Sequence, residues 1–333
     1  MFRLSLFIAA FAGAMSLPLA AQETACQHRT LPLYVHDAQG RPIRGLGAAD
    51  FEGKLEGKKV KILSVHPDAR PRQIAVLLDM SGSMKGEASG HEWEVAREVA
   101  SHIVRSDLKD TSFAFLLFSD HIQEQIDFSH SSVEIARRLE EIGATPSFAK
   151  KYVRGRTALR DVLLSAVNMF GGSDSSVAVY LISDGGDNAS RSKPKEVLHA
   201  VLRSGVRLYF VVLEPEGPPI GSRMALPEEI LGPNDVRDMV RASGGLTFGP
   251  FAPLRFGKPN YQLSGEERQI LGSELSRLYQ AMLSNDLMDI ELPHSVEKWS
   301  KWRLTLSPDK ARLYKNSTIE YPQELVPCKE VPR

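Results

Sequence analysis

Asp79, Ser81 and Ser83 stand at alternate positions in the stretch AVLLDMSGSMKG, directly after an apolar run. In extended backbone alternate side chains point the same way, so three oxygens can converge on one point. Two further oxygen donors occupy comparable places, Thr157 in GRTAL and Asp184 in LISDGGD. Five oxygens, only two of them carboxylate, describe a site for a hard cation. Hydroxyls neutralise little charge, so water or an incoming acidic group should complete an octahedral shell. Mg²⁺ suits this set better than Ca²⁺, which takes more oxygens and bidentate carboxylates, and Mn²⁺ is a workable substitute.

Such donors need a scaffold that ends its strands along one edge. From 70 to 284 apolar runs alternate with amphipathic stretches. Ile74 to Leu78, SFAFLLFSD, VAVYLISDGGD and VRLYFVVLE read as buried strands, with IQEQIDF pairing back against the second and LTFGPF following later. His91 to Arg105, Ser132 to Ile142, Thr157 to Phe170, KPKEVLHAVLRSG, PNDVRDMVRASGG and Glu266 to Leu283 read as helices. The alternation predicts an α/β fold with a doubly wound, mostly parallel, Rossmann-like sheet. In such sheets ligands bind beyond the carboxyl ends of the strands, where Asp79 and Asp184 fall. EPEGPPIGSRMALPEEILGP and PFAPLRFGKPNYQLSG are rich in Pro and Gly and are expected to be surface loops rimming that edge.

The flanks read differently. Residues 28–68 and 286–328 show period-two alternation, with a hairpin at EGKK between Phe51–Leu55 and Val60–Val65 and a turn at SPDK leading to ARLYK and STIEY. Neither flank has enough strands to stand alone, so together they are expected to form a small β-sandwich, its core covered by Trp299 and Trp302. Cys26 and Cys328, the two cysteines, lie near opposite ends of the chain. They are either two separate thiols or a pair, and a pair requires both termini to meet. Residues 1–21, with Arg3, an apolar LSLFIAAFAGAM and small residues after it, read as a secretory signal peptide, with an uncleaved N-terminal anchor as the lesser alternative because Pro18 and Leu19 make the cleavage box imperfect. No later segment approaches the length of a membrane span. The expected location is the periplasm, the wider cell envelope or the exterior. A formal net charge of zero provides no footprint for nucleic acid.

DMSGSM, GRTAL and ISDGGD, in that order and at those boundaries, resemble the metal-ion-dependent adhesion site (MIDAS) of von Willebrand factor type A (VWA) domains. The flanks resemble those of exported bacterial VWFA-related proteins. The resemblance implies a non-enzymatic binding or adhesion protein. A divalent cation held by Asp79, Ser81, Ser83, Thr157 and Asp184 would engage an acidic side chain of a protein partner. Arg156 stands where that family commonly has glycine, and Arg160 is a second departure; both bring positive charge towards the ion.

Other features carry less. Asp187 is expected to cap a turn rather than ligate. His91-Glu92-Trp93-Glu94 lacks the second histidine of a zinc-protease helix, and no G-x-S-x-G elbow occurs. Asn188-Ala189-Ser190 and Asn316-Ser317-Thr318 fit a glycosylation sequon that arises often by chance. Two alternatives stay open: a metal-independent scaffold of an envelope complex, and a metal-assisted hydrolase using His121 as base.

Overall fold

The computed structural model describes residues 26–85, 91–106, 108–144, 148, 152–170, 175–213, 227–251 and 265–331. Residues 1–21, read from the sequence as a signal peptide, and most of the two Pro-rich stretches lie outside the described residues. The chain opens with β1 (His28–His36), β2 (Phe51–Leu55) and β3 (Lys58–Pro67). It then enters an alternating region: β4 (Arg72–Asp79), α1 (His91–Val104), β5 (Thr111–Phe118), β6 (Ile122–Ile126) and α2 (Ser132–Ala144). There follow α3 (Leu159–Val167), β7 (Ser176–Ser183), α4 (Pro194–Arg203) and β8 (Arg207–Leu213). α5 (Pro227–Ala242), β9 (Thr247–Phe251) and α6 (Gly265–Leu283) complete that region. The tail holds β10 (Asp286–Glu291), β11 (Ser300–Leu306), α7 (Pro308–Leu313), β12 (Thr318–Glu320) and β13 (Glu324–Leu325).

The alternating region forms one six-stranded sheet in the order β6-β5-β4-β7-β8-β9, parallel throughout except for β6. β4 lies inside it, and its side chains feed two cores by turns. Ile74, Val76 and Leu78 face one way, packing in a cluster with Trp93, Val99 and Ile103 of α1, Leu139 of α2 and Leu275 of α6. Ala75 and Leu77 face the other way, in a cluster with Leu159 and Leu163 of α3, Val197 and Val201 of α4 and Val236 of α5. A strand covered on both faces must be apolar at every position, which is why the run Ile74–Leu78 shows no alternation. Leu77 is completely buried, so truncating it to alanine should cost about 2–5 kcal/mol. The doubly wound expectation holds.

The flanks combine into a seven-stranded antiparallel sheet, β12-β1-β10-β3-β2-β11-β13. Its apolar face encloses a single core in which Leu33 and Val35 of β1 share a cluster with Phe51, Leu55, Ile290, Trp302, Leu304 and Leu325. The sandwich is thus one continuous sheet curled over its own face. β2 and β3 meet through a two-residue turn, Glu56–Gly57, both at positive φ as a primed hairpin turn needs. Cys26 and Cys328 are disulfide-bonded with Cα atoms 5.6 Å apart, so the two ends of the described chain do meet.

Three local expectations need correction. The first Pro-rich stretch ends in helix: α5 begins at Pro227 and carries Pro233 inside it. A proline in the first turn lacks only an N–H that has no intrahelical partner there, so composition alone misled. ARLYK belongs largely to the short helix α7, not a strand, with proline again in its first turn. Trp302 is buried in the small core, whereas Trp299 stacks on His199 of α4, ring centroids 3.7 Å apart, and so ties the curled sheet to the large domain.

The two domains also join where the chain passes between them. The backbone N–H of Asp68 donates to the carbonyl of Asn285, so the outgoing and returning strands of the linker run together. Arg207, 3% exposed at the start of β8, donates to Asn285 Oδ1 at 2.6 Å. Tyr34 of β1 inserts into the core that α6 shares with the large sheet. These joints lie at the amino ends of β4 and β8. The carboxyl end of β4 is seven residue steps away, roughly 23 Å in extended chain.

Candidate metal site at the carboxyl edge of the sheet

β4 ends at Asp79, whose side chain is completely buried. Its Oδ1 accepts the backbone N–H of Ser81 at 2.7 Å, which bends the chain out of the strand. Ser81 is also fully buried, and its Oγ lies 3.1 Å from Oγ of exposed Ser83. Asp79 Oδ2 accepts the hydroxyl of Ser183 at 2.6 Å. Ser183 closes β7, one residue beyond the register pair Leu78–Ile182, so parallel pairing sets it beside Asp79. Asp184 follows it, with Oδ1 held by the N–H of Gly186 at 3.0 Å.

Thr157 reaches the same edge through its backbone. Its N–H donates to Asn188 Oδ1 at 2.9 Å, and its carbonyl accepts the N–H groups of Asn188 and Ala189. The N–H of Ala158 donates to the carbonyl of Ser119, after β5. Gly82 donates to the carbonyl of Gly155, and Arg154 to that of Met80, both at 3.0 Å. Four connecting segments are therefore stitched to one another by main-chain bonds, and the threonine is carried in with them.

Gly185 fixes how closely that edge can pack. It has φ +85°, and a Cβ placed on it would come within 2.9 Å of both Phe210 Cζ and Pro233 Cα. α5 therefore presses directly on the turn that carries Asp184. The Pro-rich stretch was expected to rim this edge, and its described part does so as a helix.

Electrostatics distinguish the cluster from an ordinary polar turn. Burial first, and then the neighbouring Asp184, push the Asp79 carboxyl above the usual carboxylate range, partly opposed by its bonds from Ser183 and Ser81. Among the described residues no Lys or Arg forms an ion pair with Asp79 or Asp184. Nor does any group of three or more His, Cys, Asp and Glu side chains gather there or elsewhere among the described residues. Buried carboxylate charge is costly unless compensated. Two carboxylates with hydroxyl oxygens around them, and no side-chain cation, fit a hard divalent ion and not a softer nitrogen- or sulfur-preferring one.

The arginines separate. Arg160 Nε lies 2.9 Å from Asp187 Oδ2, so its charge is matched within the loop. Asp187 also accepts the N–H groups of Arg160 and Ser190, and the expected capping role holds. Arg154 and Arg156 are exposed and form no ion pair among the described residues. Two supports escaped sequence reading: Ser183, which braces Asp79, and Asn188, which braces Thr157. Aligning the ends of the two buried strands points to Ser183; Asn188 sits in a sequon, yet its side-chain oxygen is engaged at the site. His121 pairs with Asp120, Nδ1 to Oδ1 at 2.6 Å, with 66% of its side chain exposed.

The family model for the von Willebrand factor type A domain matches residues 73–219. No curated protein matches the chain. Among solved structures, BatB from Bacteroides thetaiotaomicron, a conserved hypothetical protein, is 18% identical over 62% of this chain and 98% of that one, with TM-score 0.39. A von Willebrand factor type A protein from Catenulispora acidiphila is 10% identical over 89% and 73% respectively, with TM-score 0.43. Proximal thread matrix protein 1 from the mussel byssus, with a zinc-occupied MIDAS motif, is 17% identical over 68% and 49%, with TM-score 0.42. Domains of the matched family are interaction modules that commonly bind a divalent metal. Residues 73–219, running from β4 to β8 in the doubly wound sheet, are thus a von Willebrand factor type A domain by the family match.

Proposed function

We propose that the protein is an exported, non-enzymatic binding protein whose large domain holds Mg²⁺, or Mn²⁺ in its place, and through it the acidic side chain of a protein partner. Asp79, Ser81, Ser83, Thr157 and Asp184 would hold the ion, directly or through water. The ion supplies a Lewis-acidic position that a partner's carboxylate can occupy. The chain's own residues prepare that position. Ser183 and the Ser81 N–H orient Asp79, Gly186 orients Asp184, and Asn188 holds the segment bearing Thr157. The observation that carries the reading is a completely buried carboxylate beside a second one, with no Lys or Arg among the described residues paired to either. Export is supported by the leader-like first 21 residues and by the disulfide, a bond that persists in oxidising compartments. No helix among the described residues is long and apolar enough to cross a membrane.

Calorimetric titration of Mg²⁺ into the wild-type chain and into Asp184→Asn tests the site. Binding heat in the first and its loss in the second, with melting temperature otherwise preserved, is the expected result. Equal heats would remove these residues from consideration.

A further inference from the structure

We propose that Arg154 and Arg156 form an anion-recognition rim beside the Asp79 cluster, so that the partner segment bears at least two acidic groups, one for the cation site and one for the arginines. This rests on the reading of the cluster as a cation site. The two arginines flank Gly155, which adopts φ +94°. That tripeptide is fastened to the Asp79 turn at two points, by the N–H of Arg154 on the carbonyl of Met80 and by the carbonyl of Gly155 on the N–H of Gly82. The Arg154 Cα lies 3.9 Å from where a Cβ on Gly82 would stand, and Gly82 separates the donors Ser81 and Ser83. Arg154 therefore starts within one Debye length of the Ser81–Ser83 turn at physiological salt, about 8 Å, and Arg156 follows two residues on in the same fastened tripeptide.

Their lack of partners is specific. Arg160, four residues further on, is matched by Asp187, and Asp120 across the edge is matched by His121. Arg154 and Arg156 are exposed and unmatched among the described residues. Their two positive charges stand at the exposed rim of the site and form no ion pair with Asp79 or Asp184. A divalent cation tips the same edge to a surplus of two positive charges. Repulsion from the arginines weakens the ion's hold, and a second carboxylate from the partner relieves it. Cation and acidic partner consequently bind with positive coupling. A guanidinium fork suits a carboxylate in two-point contact, so the second acid gains orientation as well as charge.

The test uses the full chain after signal removal, wild type and Arg154→Ala/Arg156→Ala, each titrated with Mg²⁺ by calorimetry. Two capped ten-residue peptides of glycine and serine, carrying either one glutamate or two spaced glutamates, are then titrated at saturating Mg²⁺ and followed by NMR. The wild type should prefer the two-glutamate peptide by about tenfold at low salt, and the preference should shrink as salt rises. The double variant should lose that preference and bind Mg²⁺ alone several-fold more tightly. A wild type that binds Mg²⁺ without preferring the second glutamate, or a variant that keeps the preference, overturns the rim. A wild type that binds no Mg²⁺ overturns the cation site itself, and the metal titration alone reveals that outcome.

Discussion

The hydroxyl of Ser183 donates to Oδ2 of Asp79 at 2.6 Å, joining the ends of two parallel strands that lie 104 residues apart in the chain. The bond sits where no solvent reaches, since both residues are completely buried. Ser183 also accepts the N–H of Gly185 at 2.9 Å, so one hydroxyl orients the first carboxylate and the turn bearing the second. Ser183→Ala should leave the carboxylate short of a donor and destabilise the fold by about 1–3 kcal/mol. Mg²⁺ affinity should fall as well, because Asp79 loses its fixed orientation. Urea unfolding and Mg²⁺ calorimetry on the variant check both effects; a variant as stable as the wild type removes the bracing role.

Gly185→Ala is expected to cost more than a surface glycine change. The residue would have to keep a left-handed backbone while its methyl met Phe210 and Pro233 at 2.9 Å. Strain and overpacking together suggest a loss of about 2–4 kcal/mol. Either α5 or the Asp184 turn must move, so metal binding should weaken alongside the melting temperature. A variant that melts with the wild type shows that α5 does not bear on this turn.

The readable part of this molecule is the part governed by local periodicity. Asp79, Ser81 and Ser83 stand out because strand geometry has a period of two and the run before them is apolar at every position. Asp184 stands out for the same reason at the end of β7. What escaped depends on register and packing between distant segments. Ser183 matters only because β7 pairs beside β4, and Arg160 is neutralised only because its own N-terminal turn meets Asp187, 27 residues away. The helical start at Pro227 is hidden by composition, since a proline is tolerated at the first helical position, and Gly232 and Pro233, which usually mark a loop, sit further inside the same helix. Trp299 reads as part of the small core but stacks on His199, because a tryptophan beside a strand carries no record of which neighbour it will stack upon.

The Cys26–Cys328 bond closes a loop over 302 residues of sequence separation. β1 and β13, the strands beside these cysteines, belong to opposite halves of the curled sheet order and share its core through Leu33 and Leu325. Reduction, or Cys26→Ser/Cys328→Ser, should lower stability by about 2–5 kcal/mol, mostly by freeing the unfolded chain. The small sheet should lose protection first, because its strand ends then depend on β12 and β13 alone, of three and two residues. Hydrogen exchange with and without reductant checks the order of loss. Uniform protection in both states would show that the curled sheet holds its edges without the bond.

Asp68 supplies a pH dependence at the joint between the domains. Burial alone would raise its carboxyl pKa, but bonds and charge from Arg70 outweigh burial and hold it below the usual carboxylate value. Oδ1 accepts Arg70 Nε at 2.9 Å and Oδ2 accepts Nη2 at 2.8 Å, while the Asp68 N–H reaches Asn285. A carboxylate whose folded pKa lies below its unfolded value, about 3.9, binds protons more readily when unfolded. Its stabilising contribution is complete above that value and is lost as pH falls through the lower folded one. Asp68→Asn should therefore cost about 1–3 kcal/mol at pH 7, and the gap from wild type should narrow below about pH 4. Urea unfolding at pH 7 and pH 3 reads this directly. A gap of the same size at both values would mean that Asp68 steadies the linker through its shape and main-chain bonds rather than through its charge.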